Sequence, residues 1–316
     1  MSKTFSAAPV DEIHLAKRVE PVVAQWHGNL PGTRELQAVA ATHGLDVATA
    51  AFYHAILVSS QYGEFIRQID SLPAEPVGTP ARSKALIIPA LFYRQRPEYG
   101  GDGQLIASIA RACGFEAEVI LIDSLGSVTH NALFIASALE RETCDDIWLI
   151  SLSKGGAEVR LVLQTQTSTS LLPKIRGWIN ICGLVRGSAL VDDLLSTPLR
   201  GLRARALCAA TGIDYVGVSE LRTSHPYWRA EFQVPEWIRV INLIGVPLAS
   251  HVQKTLLSRY KRLSSLGPYD GMALLPELLI SPGDIYPVWG ADHFFRSVQV
   301  SPLLYRVFRH IRGKTL

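Results

Sequence analysis

The chain has 316 residues, of which 48% are hydrophobic and 19% charged, with a formal net charge of +3. Such a composition excludes a disordered chain, and so small and scattered a positive balance argues against nucleic acid as a partner. No apolar run approaches the roughly 20 residues of a membrane-spanning helix, and residues 1–9 lack the basic-then-apolar pattern of a signal peptide, so a soluble, cytoplasmic protein without a membrane span is expected.

Helical patterns fill the first part of the chain. Residues 11–26, 32–43 and 46–70 read as three helices, the last with Ala51, Phe52, Ala55, Ile56, Ile66 and Ile69 at roughly helical spacing. Residues 73–80, rich in proline and glycine, read as a linker, so that 1–80 form a helical N-terminal extension. Strands then alternate with helices. Residues 85–91 (ALIIPAL) are continuously apolar, as in a strand covered on both faces. A helix is expected over 103–113, a strand over 116–122, a helix over 130–141, a strand over 147–151 and a helix over 155–166. Further strands are expected at 176–183, 238–245 and 285–289. Repeated β-α-β units predict an α/β fold over 81–316: a mainly parallel sheet flanked by helices, with ligands at the carboxyl ends of the strands. Residues 187–235 turn helical again and read as a cap inserted over that edge, with Arg200, Arg203 and Arg205 on a solvated helix face.

Cys113, Cys144, Cys182 and Cys208 have neither CxxC nor metal-type spacing. They imply no metal site, and most sit in apolar surroundings as small core residues.

The strand at 147–151 runs directly into Ser151-Leu152-Ser153-Lys154-Gly155-Gly156, and a helix follows at once. A sharp strand-to-helix turn of this kind presents the central serine at its tip and needs small residues two positions either side. Ser151 and Gly155 meet that need, although Ser151 stands where the pattern has glycine. The segment thus resembles the nucleophile elbow of the α/β-hydrolase superfamily (serine esterases, lipases and thioesterases), and the resemblance extends from about residue 81 to the C-terminus.

The resemblance implies that Ser153 is a nucleophile, with a base and then an orienting acid to be found. Val288-Trp289-Gly290-Ala291-Asp292-His293-Phe294-Phe295 follows the last strand, where the superfamily carries its base, which points to His293. The acid falls between serine and histidine in chain order; Gly267-Pro268-Tyr269-Asp270-Gly271 resembles the turn that lipase-like members use, which points to Asp270, with Asp284 as competitor. Asp292, adjoining the histidine, is disfavoured. The oxyanion donors would be the amide of Lys154 and an amide after the first strand, where Ile88-Pro89-Ala90-Leu91-Phe92 lacks the usual His-Gly; Leu91 is favoured over Phe92. The Lys154 side chain reads as an exposed helix lysine, with attraction of an anionic substrate as the alternative. Tyr93 reads as apolar packing.

The implied activity is hydrolysis of a small-molecule carboxylic ester or thioester through an acyl-enzyme, with no metal or organic cofactor. Leu194, Leu195, Leu199, Tyr227 and Trp228 in the cap are consistent with an acyl group of some apolar bulk. Two other readings stay open: an acyltransferase using the same three residues, and a non-catalytic hydrolase-like protein that binds a ligand or partner. The N-terminal helices are not basic along one face, which argues against a membrane-surface role.

Overall fold

The structure, a computed structural model, describes residues 10–77, 79–166, 171–252, 254–295 and 299–312. Six strands form one sheet: β1 (Lys84–Ile88), β2 (Glu116–Val119), β3 (Ile147–Leu152), β4 (Ile175–Ile181), β5 (Arg239–Val246) and β6 (Asp284–Trp289). Their order is β2-β1-β3-β4-β5-β6, and every neighbouring pair is parallel. The chain leaves β1 in one direction for β2 and returns past it to β3, so the order reverses between β1 and β3. A crevice opens outside the carboxyl ends of strands at such a reversal.

The strands bury both faces, which explains their unbroken apolar runs. One face presents Leu86, Ile88, Leu149, Trp178 and Ile244, and the other Ile87, Trp148, Ile150, Ile179 and Leu243. On the first face lie α2 (Thr33–His43), α3 (Leu45–Val58), α6 (Val128–Arg141) and α7 (Lys154–Thr165). On the second lie α4 (Ser60–Ser71), α5 (Gln104–Ala112) and α13 (Ser301–Arg312). The mainly parallel sheet flanked by helices expected from the sequence is therefore the architecture present. β1 stops at Ile88 rather than at residue 91, because Pro89 has no N–H to continue the ladder.

The single helix expected over 46–70 is two. Ser59 leaves the helical region at φ −60° and ψ 134°, and its hydroxyl accepts from the Tyr62 amide as the cap of α4. The break lets Phe52 and Ile56 pack on one face of the sheet while Phe65 and Ile69 pack on the other. With α1 (Val10–Ala24) stacked on α3, these helices surround β6: Tyr286 donates to Asp70 at 2.7 Å, and the rings of Tyr53 and Trp289 lie 4.8 Å apart.

Within 187–235 lie α8 (Ala189–Leu194), α9 (Pro198–Thr211), α10 (Tyr215–Glu220) and α11 (Pro226–Arg229). Of the apolar residues expected to shape a pocket there, Leu194 and Leu199 are exposed, whereas Leu195 and Trp228 are buried. The insertion is fastened from inside: Glu220 accepts from the Val128 amide at 2.6 Å and from the Thr129 hydroxyl at 2.5 Å, capping α6. Arg160 of α7 reaches the carbonyls of Val185, Tyr227 and Ala230. Two helices carried no expectation from sequence, α12 (Lys254–Leu263) and α13. Three arginines of α13 grip the end of α4 and the linker, donating to the carbonyls of Leu72 at 3.0 Å, Glu75 at 3.0 Å and Thr79 at 2.5 Å. Among the described residues no helix is long and apolar enough to cross a membrane.

Candidate active site

Ser153 sits at the tip of the turn between β3 and α7 with φ 51° and ψ −117°, a conformation that a residue with a side chain holds only when its surroundings enforce it. Those surroundings are glycine-dependent. A β-carbon at Gly155 would lie 2.8 Å from the Ile88 carbonyl oxygen, and one at Gly156 would lie 2.6 Å from the α-carbon of Gly183. Both clashes are with backbone, which cannot swing aside. Gly156→Ala is thus expected to force α7 off the end of β4 and to cost about 1–3 kcal/mol, read as a lower denaturant midpoint at unchanged slope.

Ser151 is accommodated by hydrogen bonds rather than by smallness alone. Its buried hydroxyl accepts from the indole of Trp178 at 2.8 Å and lies 3.4 Å from Oδ1 of Asn180. Asn180 also donates to Asn242, its register partner on β5, at 3.3 Å and to the Leu278 carbonyl at 2.9 Å. Asn242 in turn donates to the Ile280 carbonyl and accepts its amide, each at 3.0 Å. This buried amide pair fixes the segment that follows Asp270.

Ser153, His293 and Asp270 come together, although 140 positions separate Ser153 from His293. His293 Nε2 is 2.8 Å from Ser153 Oγ, and Nδ1 is 2.6 Å from Asp270 Oδ2. Asp270 is fully buried, and its other oxygen, Oδ1, accepts the amides of Met272 at 2.9 Å and Ala273 at 3.0 Å. The His293 amide donates to the Asp270 carbonyl at 2.9 Å, so backbone as well as side chain holds the two loops together. Asp284, the competing acid, is turned instead to Arg239, which donates to it at 2.7 and 3.1 Å. Asp292 accepts the Phe294 amide at 3.1 Å.

Around the serine, the Lys154 amide opens α7, where helix N–H groups have no intrahelical acceptor. On the other side of the crevice the Phe92 amide is taken by the Ser124 carbonyl at 3.1 Å and the Ala90 amide by the Gly101 carbonyl at 2.8 Å. Among the described residues no group accepts from the Leu91 amide. Of the two amides weighed for this loop, Leu91 is the available one. Tyr93 is buried as expected, but its hydroxyl donates to the Ile122 carbonyl at 2.7 Å.

The Lys154 side chain corrects the expectation of an exposed helix lysine. It is buried, and its ammonium donates to the equally buried Glu158 one turn along α7. An i,i+4 lysine–glutamate pair reads from sequence as a solvated helix face; here α6 covers it. Burial pushes the Glu158 carboxyl up from its ordinary range, while Lys154 and the Asn131 amide pull it back.

Cys182 is buried in the core, as expected of most of the cysteines, and it also lies beside Asp270 and His293. It follows the last residue of β4 at φ 43°, accepts the Gly245 amide at 3.3 Å, and its Sγ, with Asp270 and His293, forms a group whose ligand-type atoms lie within 4.8 Å of one another. Burial and the Asp270 carboxylate push this thiol well up, so it stays protonated. A groove of about 390 Å³ opens beside the histidine loop, lined in part by Tyr99, Leu105, Phe294, Phe295 and Val300.

No protein-family model matches the chain, and no curated protein matches it in sequence. Solved structures do match it in shape. The metagenomic carboxyl esterase MGS0156 superposes with a TM-score of 0.60 at 15% identity, covering 93% of this chain and 99% of that one. The mature Bacillus licheniformis lipase BlEst2 gives 0.53 at 18% identity, covering 76% and 96%. The chain has the α/β-hydrolase fold.

Proposed function

We propose that this chain is a serine hydrolase of carboxylic esters or thioesters, with Ser153 as nucleophile, His293 as general base and Asp270 as the orienting acid. The observation that carries the proposal is the unbroken relay from Ser153 Oγ through both ring nitrogens of His293 to a buried Asp270, at the carboxyl edge of the sheet. A packing role alone does not require a strained serine aimed at a histidine.

In the proposed reaction His293 takes the Ser153 proton at Nε2 as Oγ bonds to the acyl carbon. The oxygen of the tetrahedral adduct receives the amides of Lys154 and Leu91. Collapse breaks the bond from carbon to the leaving oxygen or sulfur, which departs with the proton held by His293. Water, deprotonated by the same base, then releases the acid and restores Ser153. Asp270 accepts from Nδ1–H throughout, which leaves Nε2 free to receive a proton. Tyr99, Leu105, Phe294, Phe295 and Val300, which line part of the groove beside His293, suit an apolar acyl group or alcohol, and the two structures named above are a carboxyl esterase and a lipase.

Labelling with a fluorophosphonate probe tests this reading. The unaltered protein is expected to label at one residue, Ser153→Ala to lose the label, and a panel of short- and long-chain esters and thioesters to show turnover. Labelling that persists in Ser153→Ala would overturn the assignment of the nucleophile.

A further inference from the structure

The loop after β1 takes a left-handed residue without using glycine. Phe92 stands at φ 65°, a conformation that costs a side-chain-bearing residue about 1–3 kcal/mol unless its neighbours impose it. Three bonds impose it. The Phe92 amide donates to the Ser124 carbonyl at 3.1 Å, the Tyr93 hydroxyl to the Ile122 carbonyl at 2.7 Å, and the Ser124 hydroxyl to Gln95 Oε1 at 2.9 Å. Residues 91–95 therefore hang on the segment that follows β2.

That segment is itself held from α6. Fully buried Asn131 accepts the Asp123 amide at 3.1 Å and donates to the Asp123 carbonyl at 2.9 Å, so it grips both sides of one residue. Its remaining N–H donates to Glu158 at 2.7 Å, and the same Glu158 oxygen receives the Lys154 ammonium. The path is continuous: Lys154 side chain, Glu158, Asn131, Asp123 and Ser124, Phe92. It begins at Lys154, whose amide is proposed as one oxyanion donor, and ends next to Leu91, whose amide is proposed as the other.

We infer that this buried relay sets the spacing of the two oxyanion donors, with Asn131 as its central positioning residue. The inference rests on the serine-hydrolase reading. In this chain a glycine-bearing loop is replaced by side chains that fix the Leu91 amide relative to the Lys154 amide from behind the crevice. Neither Asn131 nor Glu158 is assigned contact with substrate. Both act through the backbone they hold. Misplacing a donor by about an ångström costs on the order of 100-fold in rate, so the relay sits where small displacements matter.

The test is Asn131→Ala, with active sites counted by fluorophosphonate titration and turnover measured on a p-nitrophenyl ester. Expected are a kcat per titrated site lower by about 100-fold, a KM within about threefold, and a parallel loss of affinity for a trifluoromethyl ketone that mimics the tetrahedral adduct. A kcat per titrated site that is unchanged, or a loss confined to KM, overturns the inference. If Asn131→Ala gives no folded protein, Asn131→Ser, read in the same way, decides. Absence of titratable sites in the unaltered protein would sink the serine-hydrolase reading itself and this inference with it. Titratable sites with no effect at Asn131 would sink this inference alone.

Discussion

Asp270→Asn is expected to lower kcat for ester hydrolysis by about 10⁴-fold while leaving the fold intact, the scale seen when a serine hydrolase's orienting aspartate loses its charge. The direction follows from which oxygen does what. Oδ1 of Asp270 is committed to the amides of Met272 and Ala273, so the carbonyl oxygen of an asparagine would take that place. Its NH₂ would then face Nδ1 of His293, 2.6 Å away in the native pair. Two N–H groups cannot share that gap, so the imidazole must carry its proton on Nε2, the nitrogen that has to accept from Ser153. The measurement is kcat on a p-nitrophenyl ester, together with the rate of fluorophosphonate labelling, which should slow in proportion. Circular dichroism should show the same helix content. A loss below tenfold would mean that another group orients the imidazole.

Glu158→Gln is expected to cost about 3–5 kcal/mol of stability, because it leaves the Lys154 ammonium buried without a countercharge. Both side chains are almost entirely inaccessible to solvent, and the second oxygen of Glu158 already lacks a partner among the described residues. The companion measurement separates the pair's worth from the cost of breaking it. Replacing both partners together, Lys154→Met with Glu158→Leu, is expected to recover part of the stability lost in Glu158→Gln, since two buried charges and their desolvation vanish at once while the buried Asn131 N–H loses its acceptor. Urea denaturation of the two variants against the unaltered chain reads both outcomes. A single variant as stable as the parent would show that water reaches Lys154.

The sheet was legible in the sequence because parallel strands buried on both faces are unbroken apolar runs, as at Ile147-Trp148-Leu149-Ile150. Ser153 was legible because a serine elbow needs a strand before it, a helix after it and small residues around it, all local properties. Asp270 and His293 followed from the resemblance of their loops to the superfamily's segments together with chain order, and the structure brings both to Ser153. What stayed hidden depends on tertiary contact. Nothing local distinguishes Asn131 from a surface asparagine on an amphipathic helix, and nothing local says that α6 will cover Lys154 and Glu158. The helix break was hidden for another reason. The apolar spacing of α3 runs on into α4 with little phase change, and only the capping geometry of Ser59 separates them.

The grip of α13 on the linker bears on how the molecule assembles. Arg306 and Arg309 each reach a carbonyl 234 positions earlier in the chain, and Arg312 one that is 233 positions earlier. These are among the most non-local bonds a chain of this size can form, and closing so long a loop is entropically the last profitable step rather than the first. During synthesis from the N-terminus, helices α1 to α4 emerge long before the element that secures their tether to the sheet. The apolar flank of β6 and its covering helices therefore spend the longest interval apart, and late association of the chain's two ends is the stage at which aggregation would compete with folding.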